Sequence, residues 1–273
     1  MPENTSNFTT KPKKITSSGE FAWGGESGWG EDIEESENIT VGSNGIRPGN
    51  AIPDTATHQW AFNAGSGTTV HDQIGDRNIN FSSMEWETEV GTKDVVGFLD
   101  GGSDGGIIES SASMINFTEN IEGGFGIWIR PDAFEQAGVL LGSWNIYDTN
   151  DANISFRYGA SDILFRAGTS GGENGDIAKF SAPHGFTKGN WHSVALLGDG
   201  SVYKVLVYGV RVGSQTASAT SSDNYDEYLS VGFRGSDGSA RVNGAIDNAW
   251  WSETPVTEEE VQTWHESSAH RYP

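Results

Sequence analysis

Short runs in which every second residue is apolar or aromatic recur along this chain, and glycine-rich or proline turns cut them off. His58-Gln59-Trp60-Ala61-Phe62 puts Trp60 and Phe62 on one face and runs into Asn63-Ala64-Gly65-Ser66-Gly67. Phe125, Ile127 and Ile129 alternate until Pro131-Asp132. A period of two with stops this close permits strands and excludes long helices. Further strands are expected at Trp191 to Leu197, Val202 to Tyr208, Leu229 to Phe233 and Ala245 to Trp251, with Gly198-Asp199-Gly200 as a turn. Asn153 to Tyr158 and Asp162 to Arg166 read as a hairpin around Gly159-Ala160-Ser161. The 37 Gly and 30 aromatics (13 Phe, 10 Trp, 7 Tyr) suit short strands joined by tight turns. The fold class is therefore all-β, a sandwich of two antiparallel sheets.

One short helix is expected near the C-terminus. Thr257-x-x-Glu260 is a capping box, and Val256 and Val261 fall at the two positions of a hydrophobic staple, so the helix runs from Thr257 to about His265. Residues 1–52 differ from the rest. They lack alternation, are rich in Ser, Thr, Asn, Gly and Glu, and contain the near-repeat Trp23-Gly24-Gly25-Glu26 and Trp29-Gly30-Glu31-Asp32. This segment is expected to be a non-globular arm, residues 1–52, used for assembly, with Phe21, Trp23 and Trp29 as its anchors; the plainer alternative is that it packs on its own domain. Residues 53–273 form the sandwich.

Charge limits the partners. Asp plus Glu total 38 against 16 Lys plus Arg, a net charge of −22, which repels nucleic acid and anionic membranes. Two readings of the same excess remain: an ordinary acidic extracellular protein, or adaptation to molar salt, where the Debye length shrinks to about 3 Å and self-repulsion is screened. There is no Cys, so neither disulfides nor thiolate chemistry contributes. No apolar run reaches transmembrane length, and no signal-like apolar segment follows Met1.

Five ordered stretches resemble laminin-G-like domains of the concanavalin A-like superfamily. They are Trp60 to Asp72, Gly124 to Pro131, Trp191-His192-Ser193-Val194-Ala195, Val205 to Gly213 (with Tyr208 where Asp is usual), and Gly244-Ala245-Ile246-Asp247-Asn248 followed by Thr257 to Val261. The resemblance implies a jelly roll of two curved sheets. It also implies a structural Ca²⁺, for which Asp72 and Asp247 are the candidate ligands; the plainer reading is that Asp247 caps a turn. In the arm, Phe21-Ala22-Trp23 and Gly28 to Ile33 resemble N-terminal segments of virion and tail proteins of double-stranded DNA viruses.

Catalysis is not expected. Glu85, Glu87 and Glu89 share one strand face, but the glucanase order of Glu, Asp and Glu is missing, and an acidic edge strand is the simpler account. The six His show no zinc spacing, and His192 is expected to be structural. Binding is expected at two loops that combine flat rings with amides and carboxylates, the mix that recognises sugars. One offers Trp144, Tyr147, Asp148, Asn150 and Asp151; the other offers Asp223, Asn224 and Tyr225. The expected function is a non-enzymatic virion surface protein (spike, turret or tail fibre) of a halophilic host. It would bind a cell-surface glycan or glycoprotein, join other virion proteins through the arm, and form a homo-oligomer. The alternative is a secreted or cell-surface carbohydrate-binding module; a glycoside hydrolase is the third class.

Overall fold

The computed structural model describes residues 41–42, 45–46, 52–88, 95–102, 105–109, 121–134, 138–144, 154–168, 176–218, 228–232 and 241–272. All of them fall within one compact unit, Thr40–Pro273. Phe21, Trp23 and Trp29 lie outside the described residues.

Among these residues, β1 (Val41–Gly42) and β2 (Gly45–Ile46) form a small antiparallel ladder. The strands β3 (His58–Trp60), β4 (Thr69–Val70), β5 (Ile79–Phe81), β6 (Glu85–Thr88), β7 (Val95–Asp100) and β8 (Gly106–Ile108) follow. Next come β9 (Glu122–Pro131), β10 (Gly138–Trp144), β11 (Ile154–Tyr158), β12 (Asp162–Gly168) and β13 (Asp176–Pro183). The last are β14 (His192–Asp199), β15 (Val202–Val207), β16 (Val210–Thr216), β17 (Tyr228–Val231) and β18 (Asn243–Ser252). Sheet A has the order β16-β15-β14-β9-β18-β7-β6, with β3 also pairing β18. Sheet B has the order β13-β12-β11-β10-β17-β8-β5-β4. Their pairings are antiparallel, as the alternating pattern requires.

The core lies between the sheets. Phe125, Ile127 and Ile129 of β9 point into it, as the alternation predicts, and meet Phe156 and Phe165 of sheet B within one buried cluster. Trp60 and Phe62 join the same cluster. Sheet A is buried on its other face too. Trp128, Ala195, Leu197, Leu206 and Trp250 form a second cluster with Val256, Val261, Trp264 and Tyr272. This is why β9 and β14 are buried along nearly their whole length. Gly126 belongs to this layer: a Cβ there would come within 2.4 Å of the Trp250 indole, so only hydrogen leaves room for the ring.

The helix α1 (Glu258–Ser268) covers that outer face. Thr257 is its N-cap, and both bonds of the capping box are present: the Glu260 N–H donates to Thr257 Oγ1, and the Thr257 N–H donates to Glu260 Oε2. Val256 and Val261 are both buried. The helix extends past His265 because the last turn has tertiary support: Trp128 Nε1–H donates to Ser268 Oγ, which donates to the Trp264 carbonyl. A 3-10 turn, Ala269–Arg271, then carries the chain to Tyr272.

Candidate functional site

Strand register brings together the roots of the two loops singled out for ligand contact. Trp144, the last residue of β10, pairs with Tyr228, the first of β17, after Gly142↔Ser230 and Ser143↔Leu229. Trp144 and Tyr228, the described residues that flank 145–153 and 219–227, are therefore neighbours at one end of sheet B. Tyr147, Asp148, Asn150, Asp151, Asp223, Asn224 and Tyr225 lie outside the described residues.

The face of sheet B turned away from the core carries a cross-strand row beside these roots. The pairings Thr69↔Asn80, Asn80↔Ile107, Ile107↔Ser230, Ser230↔Gly142, Gly142↔Ser155, Ser155↔Arg166 and Arg166↔Lys179 define it. The row is polar except for Ile107, which is 40% exposed, and Gly142. At one end, Thr69 Oγ1–H donates to Asn80 Oδ1 (2.9 Å), and the amides of Asn80 and Asn78 donate to the two oxygens of Glu109 (2.6 and 3.1 Å). Sequence reasoning missed this surface, because the row joins single residues from eight strands and exists only once their register is set.

Asp72 and Asp247, the expected calcium ligands, sit in separate networks. Asp72 accepts from the backbone N–H groups of Gln59, Ile74, Gly75 and Arg77, and its Oδ2 lies 2.6 Å from His58 Nδ1. Burial pushes its pKa up, but the His58 bond and the backbone donors outweigh that and hold the carboxyl below its ordinary value. Asp247 is fully buried and accepts from Asn248 N–H (2.7 Å), Tyr272 O–H (2.7 Å) and Arg271 Nη2 (3.3 Å). Ca²⁺ needs six to eight oxygens facing a common point. Two carboxylates engaged by N–H and O–H donors do not fit that role, and no group of three or more potential ligands occurs among the described residues. Asp247 does cap its own bulge through Asn248, and it also anchors the C-terminal segment.

The acidic strand β6 is an edge strand of sheet A, and Glu87 accepts a 2.8 Å bond from Arg130. Glu89 lies outside the described residues. His192 is structural: its Nδ1 bonds to the Tyr208 hydroxyl, its Nε2 lies against the Thr187 backbone, and its ring stacks on Phe186 at 4.6 Å. His184 stacks on the other side of Phe186 at 4.0 Å, and His265 stacks on Trp128 at 5.5 Å. Burial holds all three histidines below the ordinary imidazole pKa.

A Laminin G 3 family model, described as concanavalin A-like lectin/glucanases superfamily, matches residues 100–262, more than half of the chain. The chain belongs to this superfamily. Its sandwich is similar to domain 4 of AbnA, a GH43 extracellular arabinanase from Geobacillus stearothermophilus, solved with arabinotriose. The TM-score is 0.57 at 15% identity, over 77% of this chain and 98% of that domain. The likeness of fold extends to Trypanosoma rangeli sialidase (TM-score 0.60, 13% identity, 81% of this chain and 34% of that one). It also extends to the binding domain of botulinum neurotoxin DC in complex with rat synaptotagmin II (0.58, 10%, 80% and 52%). The chain thus spans about a third of the sialidase and half of the toxin domain. At these identities the likeness is one of fold. No curated protein matches the sequence.

Proposed function

We propose that this sandwich is a non-enzymatic domain that binds a cell-surface glycan or glycoprotein through the loop-bearing end of sheet B. The observation that carries the reading is the Trp144↔Tyr228 pairing, which starts two loops rich in aromatic, amide and carboxylate groups from adjacent strands. Sugars are held by that combination: a ring stacks on C–H faces while side-chain pairs bond the hydroxyls. The crystallised partners of two fold relatives, arabinotriose and rat synaptotagmin II, are a sugar and a protein. Binding is favoured over hydrolysis because Glu87 is committed to Arg130 and Glu109 to two Asn amides. A glycosidase needs one carboxyl left to protonate a leaving group.

The finer reading is display on a virion surface, with residues 1–52 as the assembly arm; it rests on the arm's composition and its resemblance to virion proteins. The near-complete overlap with domain 4 of AbnA favours a second placement, a module attached to polysaccharide-degrading machinery. Neighbouring genes separate the two: capsid and tail genes support the first, and polysaccharide-degrading enzymes the second. The binding claim is tested with the full chain on a glycan array. Asp148→Ala with Asp223→Ala should abolish the signal on the glycan that the parent binds. Sugar release from any bound glycan would refute the non-enzymatic reading.

A further inference from the structure

Asn80-Phe81-Ser82 has the form Asn-x-Ser/Thr with x not Pro, the acceptor triplet for N-linked glycans. The sequence holds six such triplets, at Asn4, Asn7, Asn38, Asn80, Asn116 and Asn153, and only the one at Asn80 lies wholly among the described residues. It straddles the end of β5, a strand of three residues that is next to the edge strand of sheet B. Phe81 points into the core, whereas Asn80 and Ser82 are exposed. The amide and the hydroxyl that a glycosyltransferase must engage together are thus both on the surface.

The Asn80 amide is bonded in a way that leaves room for a sugar. Its Oδ1 accepts from Thr69 Oγ1–H (2.9 Å), and its Nδ2 donates to Glu109 Oε1 (2.6 Å). The second Nδ2 hydrogen bonds to none of the described residues. Replacing that hydrogen by C1 of a sugar keeps both bonds, and the two bonds together fix the amide plane from which the sugar projects. Directly opposite Asn80, on β8, stands Ile107, 40% exposed. Cross-strand Cβ atoms lie about 5 Å apart, so the C–H face of a first sugar reaches the Ile107 side chain. Asn78 is the contrast: its amide also bonds to Glu109, but Asn80 stands where a hydroxyl would be needed.

We propose that Asn80 is an N-glycosylation site whose first sugar packs on Ile107. Nδ2 of Asn80 attacks C1 of a sugar carried on a polyprenyl phosphate or diphosphate, bound to a membrane oligosaccharyltransferase. The Nδ2–C1 bond forms as the C1–O bond to the phosphate breaks. One amide proton leaves to a base of the transferase, and the polyprenyl phosphate departs with the bonding pair. In the folded sheet the Phe81 and Ser82 N–H groups are bonded to the Thr68 and Gly105 carbonyls, which closes the backbone of the triplet to another protein. Transfer therefore precedes the pairing of β5 with β8, while the chain is crossing the membrane. The site goes beyond the glycan-binding reading and does not depend on it.

The full chain, made with an export leader in a secretory host that glycosylates Asn-x-Ser/Thr, tests the proposal. Trypsin releases residues 78–93, in which Asn78 and Asn80 are the only asparagines. Fragment-ion mass spectrometry should place a glycan on Asn80 in most copies. Ser82→Ala should abolish it, and Ser82→Thr, which keeps the hydroxyl, should retain it. The same chain made in a host without the transferase supplies the bare form. Ile107→Ser should lower the melting temperature of the glycosylated form by about 2 °C more than that of the bare form. An unmodified 78–93 peptide would overturn the site, as would sugar on Asn78 or on a serine, or a glycan that survives Ser82→Ala. Equal losses from Ile107→Ser in the two forms would overturn the packing on Ile107. Binding of the bare form to a glycan array is read separately, so none of these outcomes bears on the binding role.

Discussion

Asp72 serves the backbone more than it serves any charge. Four N–H groups and one imidazole converge on its carboxylate, which pins the turn after β4 to β3. Asp72→Ala leaves the buried Gln59 N–H and the buried His58 ring without this acceptor. The expected cost is about 3 kcal/mol in urea unfolding; a loss near zero would mean that the turn holds itself. The three stacked histidines set a pH dependence. Each is held below the ordinary imidazole pKa in the folded chain, chiefly by burial. In the unfolded chain each titrates near about 6.5. The unfolded state therefore binds more protons below that pH. Stability is full above it and is lost as pH falls toward the folded values. Unfolding measured at about pH 7.5 and about pH 5.5 should show the drop, and His184→Phe should reduce it. Asp72 is also depressed, and its contribution is lost only at lower pH, in the carboxylate range. His192 was legible as structural from its strand. Its stacking partners were not, because Phe186 and His184 come from a loop and Tyr208 from a hairpin tip, and no local pattern links the three.

At the scale of elements, the helix was the most legible feature, since its start signals lie within six consecutive residues, Val256 to Val261. Thr257→Ala removes the cap and should cost about 1 kcal/mol, read as a lower melting temperature. Glu260→Ala should cost more, because Glu260 also accepts from Thr55 Oγ1 at 3.0 Å and so ties the helix to the approach to β3. Equal losses would show that the Thr55 bond is idle. The strands of sheet A were legible from alternation, but the burial of their outer faces was not. Trp128 and Trp250 look like outward residues until the C-terminal helix folds over them. Strands β10 and β13 escaped notice for a related reason: β10 carries a register shift between Val139 and Leu141 and β13 one opposite Ala167/Gly168, and a bulge breaks the period of two. The candidate binding surface was half legible. The loop chemistry could be read along the chain, whereas the polar row joins residues from eight strands of sheet B and exists only after pairing.

For the whole molecule, charge governs stability. Thirty-eight acids against sixteen bases repel in dilute buffer, and added salt screens them. The melting temperature should rise steadily from dilute buffer to molar KCl; a flat profile would remove the case for salt adaptation. Since Asp72 and Asp247 are engaged by protein donors, a chelator at fixed salt should leave that temperature where it was. The first and last strands of the sandwich also share a ladder: His58 of β3 lies opposite Trp251 near the end of β18, and the Thr57 N–H donates to the Trp251 carbonyl. The polypeptide thus arrives at and departs from this ladder at the same end. Tension applied between the two ends of the domain, once it has loosened the tail that Tyr272 fastens to Asp247, would peel β3 from β18 one hydrogen bond at a time instead of shearing the pair. In a single-molecule pulling experiment the first rupture should come at low force.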